Sequence, residues 1–211
     1  MFKTISENIE AEIVEKKSKF IANIFYVESV EEAEEMIKAI KKKHYDARHN
    51  CYAFSIYTEN GTIDRFSDDG EPSGTAGSPM LNILKGQNLS NILVVVTRYF
   101  GGILLGTGGL VRAYSDATLE GIANAKIIEK DLGIIASFIV SYEDLEKIKY
   151  YFKQENIKII DYKYDENVEV LVEITKEKYQ NMLENRENFK FKIQNCKIEK
   201  ESFIEMSKNV E

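Results

Sequence analysis

The clearest periodicity in the chain follows Ser29, where Val30, Ala33, Met36, Ile37 and Ile40 recur at helical spacing. Ser29 stands three residues before Glu32, the arrangement of a capping box. Glu31 and Glu32 load the start of the segment and Lys41, Lys42 and Lys43 its end, as the helix dipole favours. A helix is predicted, its lysine run a solvated end. The stretches on either side read as strands: Phe20 to Val27 is short, β-branched and aromatic, and Cys51 to Tyr57 alternates through Tyr52, Phe54 and Ile56. Asn60-Gly61 is a hairpin-turn signal, so Ile63 to Phe66 is expected to return antiparallel. Ser67 to Pro79 holds three glycines and both prolines of the chain and predicts a long, specified loop. A helix around Met80 to Lys85 follows. The unbroken apolar run Ile92 to Val96 predicts a strand buried on both faces at the centre of a sheet. Gly101 to Gly109 then leads into a helix over Leu110 to Ala125, with Val111, Tyr114, Ala117, Thr118 and Ile122 along one side.

After Gly133 the texture changes. Strand Ile134 to Val140, a helix capped from Ser141 and running to Gln154, strands Ile157 to Tyr164 and Val168 to Ile174, helix Thr175 to Glu187 and strand Phe191 to Ile198 follow in turn. That order, βαββαβ, is ferredoxin-like, and the short Asp165-Glu166-Asn167 connection suits its central hairpin. The boundary is expected near Leu132, giving domains 1–132 and 133–211, with the polar end from Met206 to Glu211 frayed.

Composition narrows the function class. A chain of 211 residues with 44% apolar and 11% aromatic residues can bury a real core. Its longest apolar run is far shorter than the roughly 20 residues that span a bilayer, and the charged N-terminus has no export-signal pattern; no membrane association is expected. Cys51 and Cys196 stand far apart with no Cys or His at ligand spacing, which fits reduced thiols in a cytoplasmic protein and no bound metal. The formal net charge of −7 opposes diffuse binding to phosphate, so any contact with nucleic acid must be local. No sequence-specific DNA binding is expected, and no cofactor.

Two segments could carry chemistry. The first sets Asp68, Asp69 and Glu71 among Gly70, Gly74 and Gly77. An acid/base or magnesium site would need these carboxylates to converge on one point; alternatively they cap turns while the glycines supply positive φ. The second runs from Arg98, Tyr99 and Phe100 to Gly106, Gly108, Gly109 and Arg112, placing arginines and a helix N-terminus after a buried strand, where an anion is favoured. It has neither dinucleotide-binding nor Walker spelling. Here too a structural reading competes: the glycines allow close packing, and the arginines pair with the loop carboxylates. Tyr52, Tyr99, Phe100 and Tyr114 interleave with Arg48, Arg65, Arg98 and Arg112, the mix that stacks bases and clamps phosphates and equally the mix of an ordinary core and its rim. His49, beside Arg48, has two readings: a place at the edge of the same cleft, or a structural or surface role, since no Cys or Ser partner stands at matching spacing.

Four stretches together resemble the N-terminal domain of the IMPACT/YigZ family. They are Ser18 to Ala22, Ala47-Arg48-His49-Asn50-Cys51-Tyr52-Ala53, Asp68-Asp69-Gly70-Glu71-Pro72-Ser73-Gly74-Thr75-Ala76-Gly77, and Thr97 through Tyr114. The remainder is similar to the C-terminal domain of the bacterial YigZ branch. The resemblance implies an α+β chain whose N-terminal domain is ribosomal-protein-S5-domain-2-like and whose C-terminal domain is ferredoxin-like, a bacterial source, and a link to translation. The leading functional reading is a non-enzymatic regulator that binds RNA, the ribosome or a translation factor through Arg48, His49, Arg98, Tyr99, Phe100, Arg112 and the glycine segment. The competing reading is a magnesium- or phosphate-dependent enzyme acting on a small phosphorylated substrate, with Asp68, Asp69 and Glu71 as one wall.

Overall fold

The apolar run Ile92 to Val96 lies in the middle strand of a five-stranded antiparallel sheet. The computed structural model describes residues 1–58 and 60–206, and its N-terminal unit spans Phe2–Ile128. The elements of that unit are β1 (Phe2–Ile5), β2 (Ile9–Glu15), β3 (Ser18–Tyr26), α1 (Val30–Lys43), β4 (His49–Thr58), β5 (Gly61–Ser67), α2 (Gly77–Gly86), β6 (Ile92–Tyr99) and α3 (Gly106–Ala123). The sheet order is β2-β3-β6-β4-β5. Because side chains alternate across a strand, Leu93 and Val95 pack on one face with Ala33, Ile37 and Ile40 of α1. Val94 and Val96 pack on the other, with Met80, Leu81 and Leu84 of α2 and Leu110, Ala113, Tyr114 and Ala117 of α3. All four of these β6 side chains are sealed from solvent, and each such burial is worth about 1.5–3 kcal/mol.

The helix after Ser29 is capped as its sequence demands: the Ser29 hydroxyl accepts from the Glu32 N–H at 3.1 Å. The reciprocal half of the box is displaced by one residue, with the Glu32 carboxylate accepting from the Glu28 N–H at 2.7 Å.

The second unit runs from Glu129 and contains all but the first two residues of β7 (Ile127–Val140), then α4 (Leu145–Gln154), β8 (Lys158–Tyr164), β9 (Val168–Ile174), α5 (Lys176–Glu184) and β10 (Ile193–Glu205). Antiparallel pairing sets the order β10-β7-β9-β8, which is the ferredoxin-like arrangement. Phe138, Val170 and Val172 meet Ile148 and Phe152 of α4 and Met182 of α5 in one core. Both units therefore belong to the expected α+β class.

Several boundaries depart from the sequence reading. The strands β1 and β2 were not expected. The sequence left Gly77 to Pro79 in a loop, whereas α2 begins at Gly77. The helix expected from Leu110 begins at Gly106, so the glycines form its first turn. The turn at Ser141 precedes α4, which starts at Leu145, and β10 continues to Glu205, well past Ile198. The fraying expected for the C-terminus falls on residues that, beyond Met206, lie outside the described ones.

Candidate functional site

Register brings the two motif segments together. β4 starts where β6 ends, with His49 opposite Arg98 and Asn50 opposite Thr97. Period-two alternation then sends Arg98 to the same face as Val94 and Val96, under α3, and Tyr99 to the face of α1. Arg98 is only 7% exposed. Its Nη1 donates to Oε1 of Glu71 at 2.6 Å, and the Tyr114 hydroxyl donates to the same oxygen at 2.8 Å. The guanidinium carbon also lies 5.5 Å from the centre of the Phe20 ring and 5.6 Å from that of Phe100, a cation–π geometry. Burial above all, with Cys51 and Glu71 nearby, holds the Tyr114 phenol far above its usual titration range.

On the other face, the Tyr99 hydroxyl donates to Asp46 Oδ1 at 2.9 Å, which leaves its oxygen to accept from His44 Nδ1 at 3.0 Å. His44 is buried, and burial followed by the charge on Lys43 holds its imidazole below the usual histidine value. Burial and the bond to Asp46 raise the Tyr99 phenol.

The carboxylates of the acidic loop are engaged with the loop's own backbone and with neighbouring elements. Asp69 and Gly70 take left-handed conformations, with φ of +43° and +86°. Oδ2 of Asp68 accepts from the Gly74 N–H at 2.8 Å, and Oδ1 accepts from the N–H groups of Ala76 at 3.0 Å and Gly77 at 2.9 Å. Asp68 is thus a remote cap for α2, which has no side-chain cap at Ala76. Burial works to raise the Asp68 pKa, but these three donors outweigh it and hold the carboxyl below the usual carboxylate range. Asp69 pairs with Lys41 at 2.6 Å and accepts from the Asn50 N–H at 2.7 Å. The His49 ring meets the Asp69 carbonyl at 3.0 Å. Each of Asp68, Asp69 and Glu71 therefore faces different partners. Among the described residues, no three His, Cys, Asp or Glu side chains are grouped so that they could hold a metal ion.

An open pocket of about 570 Å³ lies at this end of the sheet, lined by Asp46, Ala47, Arg48, His49, Arg98, Tyr99, Phe100 and Leu104. Five residues nominated from the sequence, Arg48, His49, Arg98, Tyr99 and Phe100, meet there. Gly106, Gly108, Gly109 and Arg112 do not line it; they occupy the first two turns of α3, whose N-terminus has no side-chain cap. Arg112 is exposed. Asp46 and Leu104 were not nominated. Asp46 follows the end of α1 by only three residues, and Leu104 is 83% exposed, an aliphatic side chain in a segment read for its glycines.

Gly101 is fixed by packing. A Cβ there would lie 2.0 Å from the Lys17 carbonyl carbon, and its N–H donates to the Ser18 hydroxyl at 3.1 Å. The motif around Ser18 and the motif around Gly101 are thus two sides of one backbone contact.

Residues 16–122 match the Impact N-terminal domain, and residues 138–184 match DUF1949, a domain of unknown function. The chain is 45% identical over 166 residues to IMPACT family member YvyE of Bacillus subtilis (strain 168), covering 79% of this chain and 76% of the relative. It is 37% identical over 164 residues to an IMPACT family member of Haemophilus influenzae, covering 76% and 78%. A crystal structure of a hypothetical protein matches 92% of this chain and 98% of its own, at 31% identity and a TM-score of 0.62. With one domain match spanning about half of the chain and relatives aligned along most of their length, this chain belongs to the IMPACT family.

Proposed function

We propose that the protein is a translation-associated regulatory binding module, acting in the cytoplasm, whose N-terminal unit engages RNA, the ribosome or a translation factor at the pocket and along α3. Membership of the IMPACT family supports the translational context. The observation that carries the choice of surface is the meeting of Arg48, His49, Tyr99 and Phe100 around one open pocket. Phe100 is 53% exposed, and Arg48 and Arg112 have no ion-pair partner among the described residues. Arg98 has a different part in this reading from the one its sequence position suggested. With Glu71 at 2.6 Å and little exposure, it forms the floor of the site and leaves Arg48 and Arg112 to meet an anionic group.

Co-sedimentation with purified ribosomes and with free RNA at two salt concentrations tests the proposal, comparing wild type with Arg48→Ala/Arg112→Ala. Both residues are exposed, so the variant is expected to keep its circular dichroism spectrum. Salt-sensitive binding by wild type, lost in the double variant, is the expected result. An absence of binding by wild type at either salt concentration would overturn the RNA and ribosome reading and leave a translation factor as the partner to test.

A further inference from the structure

The proposed surface is more apolar than a nucleic-acid site requires. Phe100, Ile103, Leu104 and Val111 are 53%, 42%, 83% and 36% exposed, four large apolar side chains within the segment that joins β6 to α3 and the first turns of that helix. Phe100 and Leu104 line the pocket together with Arg48, and exposed apolar side chains with arginine beside them are the composition of a protein-binding patch. The groups that would stack a base are mostly withdrawn: Tyr114 is buried, and Tyr99 is half-buried and tied to Asp46 and His44. Ile103 and Leu104 offer no π-face to a base. The cationic charge is also thinner than the sequence suggests, because Glu71 neutralises Arg98. Of the arginines read as phosphate contacts, Arg48 and Arg112 remain without an ion pair among the described residues, on a chain of net charge −7, a charge better matched to one or two carboxylates than to a run of phosphates.

We propose that this surface docks an acidic polypeptide segment of another protein, a bulky aliphatic or aromatic side chain entering the pocket against Phe100 and Leu104 while a neighbouring carboxylate reaches Arg48. The inference rests on the reading that this face is the binding face, and it names the partner's chemistry.

The test pans the full-length protein against a random peptide library displayed on phage, with Leu104→Asp and Arg48→Glu panned in parallel. Both side chains are exposed, and thermal melts matching wild type establish that the variants are folded. The expected result is an enriched consensus pairing a large apolar residue with nearby Asp or Glu, and a synthetic consensus peptide that loses on the order of tenfold in affinity with each variant. No shared consensus, or one that both variants still bind, overturns the inference. Protein-free ribosomal RNA forms the second arm. If wild type binds it in a salt-sensitive way, Arg48→Glu abolishes that binding and Leu104→Asp leaves it intact, the surface takes nucleic acid: the peptide inference fails and the translational reading stands. An acidic peptide consensus without any association with ribosomes or RNA supports the peptide inference and overturns the RNA and ribosome arms of the proposed function.

Discussion

The guanidinium of Arg98 and the carboxylate of Glu71 lie 2.6 Å apart with both side chains closed to solvent. Removing one partner of such a pair leaves a charge without compensation in a poorly hydrated place, which costs roughly 3–5 kcal/mol, whereas removing both costs much less. Arg98→Ala is therefore expected to lose roughly 3–5 kcal/mol in urea unfolding, a large share of a typical domain's stability. Arg98→Ala/Glu71→Leu should lose clearly less than the two single changes added together, with the Tyr114 hydroxyl, deprived of its acceptor, accounting for part of what remains. An unmoved urea midpoint in Arg98→Ala would mean that the arginine is not holding the fold and is free for a ligand.

Why the sequence led to Arg98 as a phosphate contact is visible in the strand. Arg98 and Tyr99 are adjacent in sequence and next to a glycine segment, which reads as one exposed cluster, yet period two puts them on opposite faces and buries the first. The partner that makes burial tolerable, Glu71, is distant in sequence; the competing structural reading, in which the arginines pair with the loop carboxylates, foresees such a pair, and the fold supplies it between Arg98 and Glu71. The strands β1 and β2 were hidden for another reason. Ile9 to Glu15 does alternate, but of its seven residues only Ala11 is buried, so the pattern has little apolar weight. By contrast the helix after Ser29 and the strand Ile92 to Val96 were plain, because cap, charge and periodicity agreed on the helix and unbroken apolar character marked the strand. The pocket itself was half legible: register sets His49 opposite Arg98, with Arg48, Tyr99 and Phe100 as their chain neighbours, while Asp46 and Leu104 join only through the fold.

Asp68 makes a pH-dependent contribution whose sign follows from its partners. Three backbone N–H groups hold its folded pKa below the unfolded value, so the unfolded chain takes up the proton first as pH falls. Its stabilisation is complete above the unfolded carboxylate pKa, near 3.9, and is lost as pH drops through the folded value. Asp68→Asn keeps one acceptor but turns a donor towards an N–H, costing about 1–2 kcal/mol at neutral pH. Urea midpoints of the two proteins should differ by a constant amount from neutrality down to about pH 5 and draw together below about pH 4. A gap that widens towards acid would contradict the assignment.

Cys51 is expected to be chemically silent. It is fully buried and its thiol donates to the Asp68 carbonyl at 2.9 Å, and burial pushes the thiol pKa up to about 12. Since the thiolate is the reactive form, an aromatic disulfide reagent at mildly alkaline pH should titrate only Cys196 in the folded chain, and both cysteines once denaturant is added. Rapid reaction of Cys51 in the folded chain would show that the acidic loop opens readily.

Gly101 and Gly108 separate packing from function within one glycine-rich segment. At Gly101 an added methyl group meets the Lys17 backbone at 2.0 Å, and backbone cannot rotate aside, so Gly101→Ala should destabilise by about 1–3 kcal/mol or more. At Gly108 an added Cβ meets nothing within 4 Å, and the residue sits in the first turn of a helix. Gly108→Ala should therefore stabilise by up to about 1 kcal/mol, since alanine gives up less backbone freedom than glycine on entering a helix. Thermal melts should move in opposite directions for the two variants. A ribosome- or peptide-binding measurement on Gly108→Ala then has a clear meaning: a more stable protein that binds less well has lost room for a partner approaching the backbone of α3, and one that binds unchanged excludes that turn from the contact.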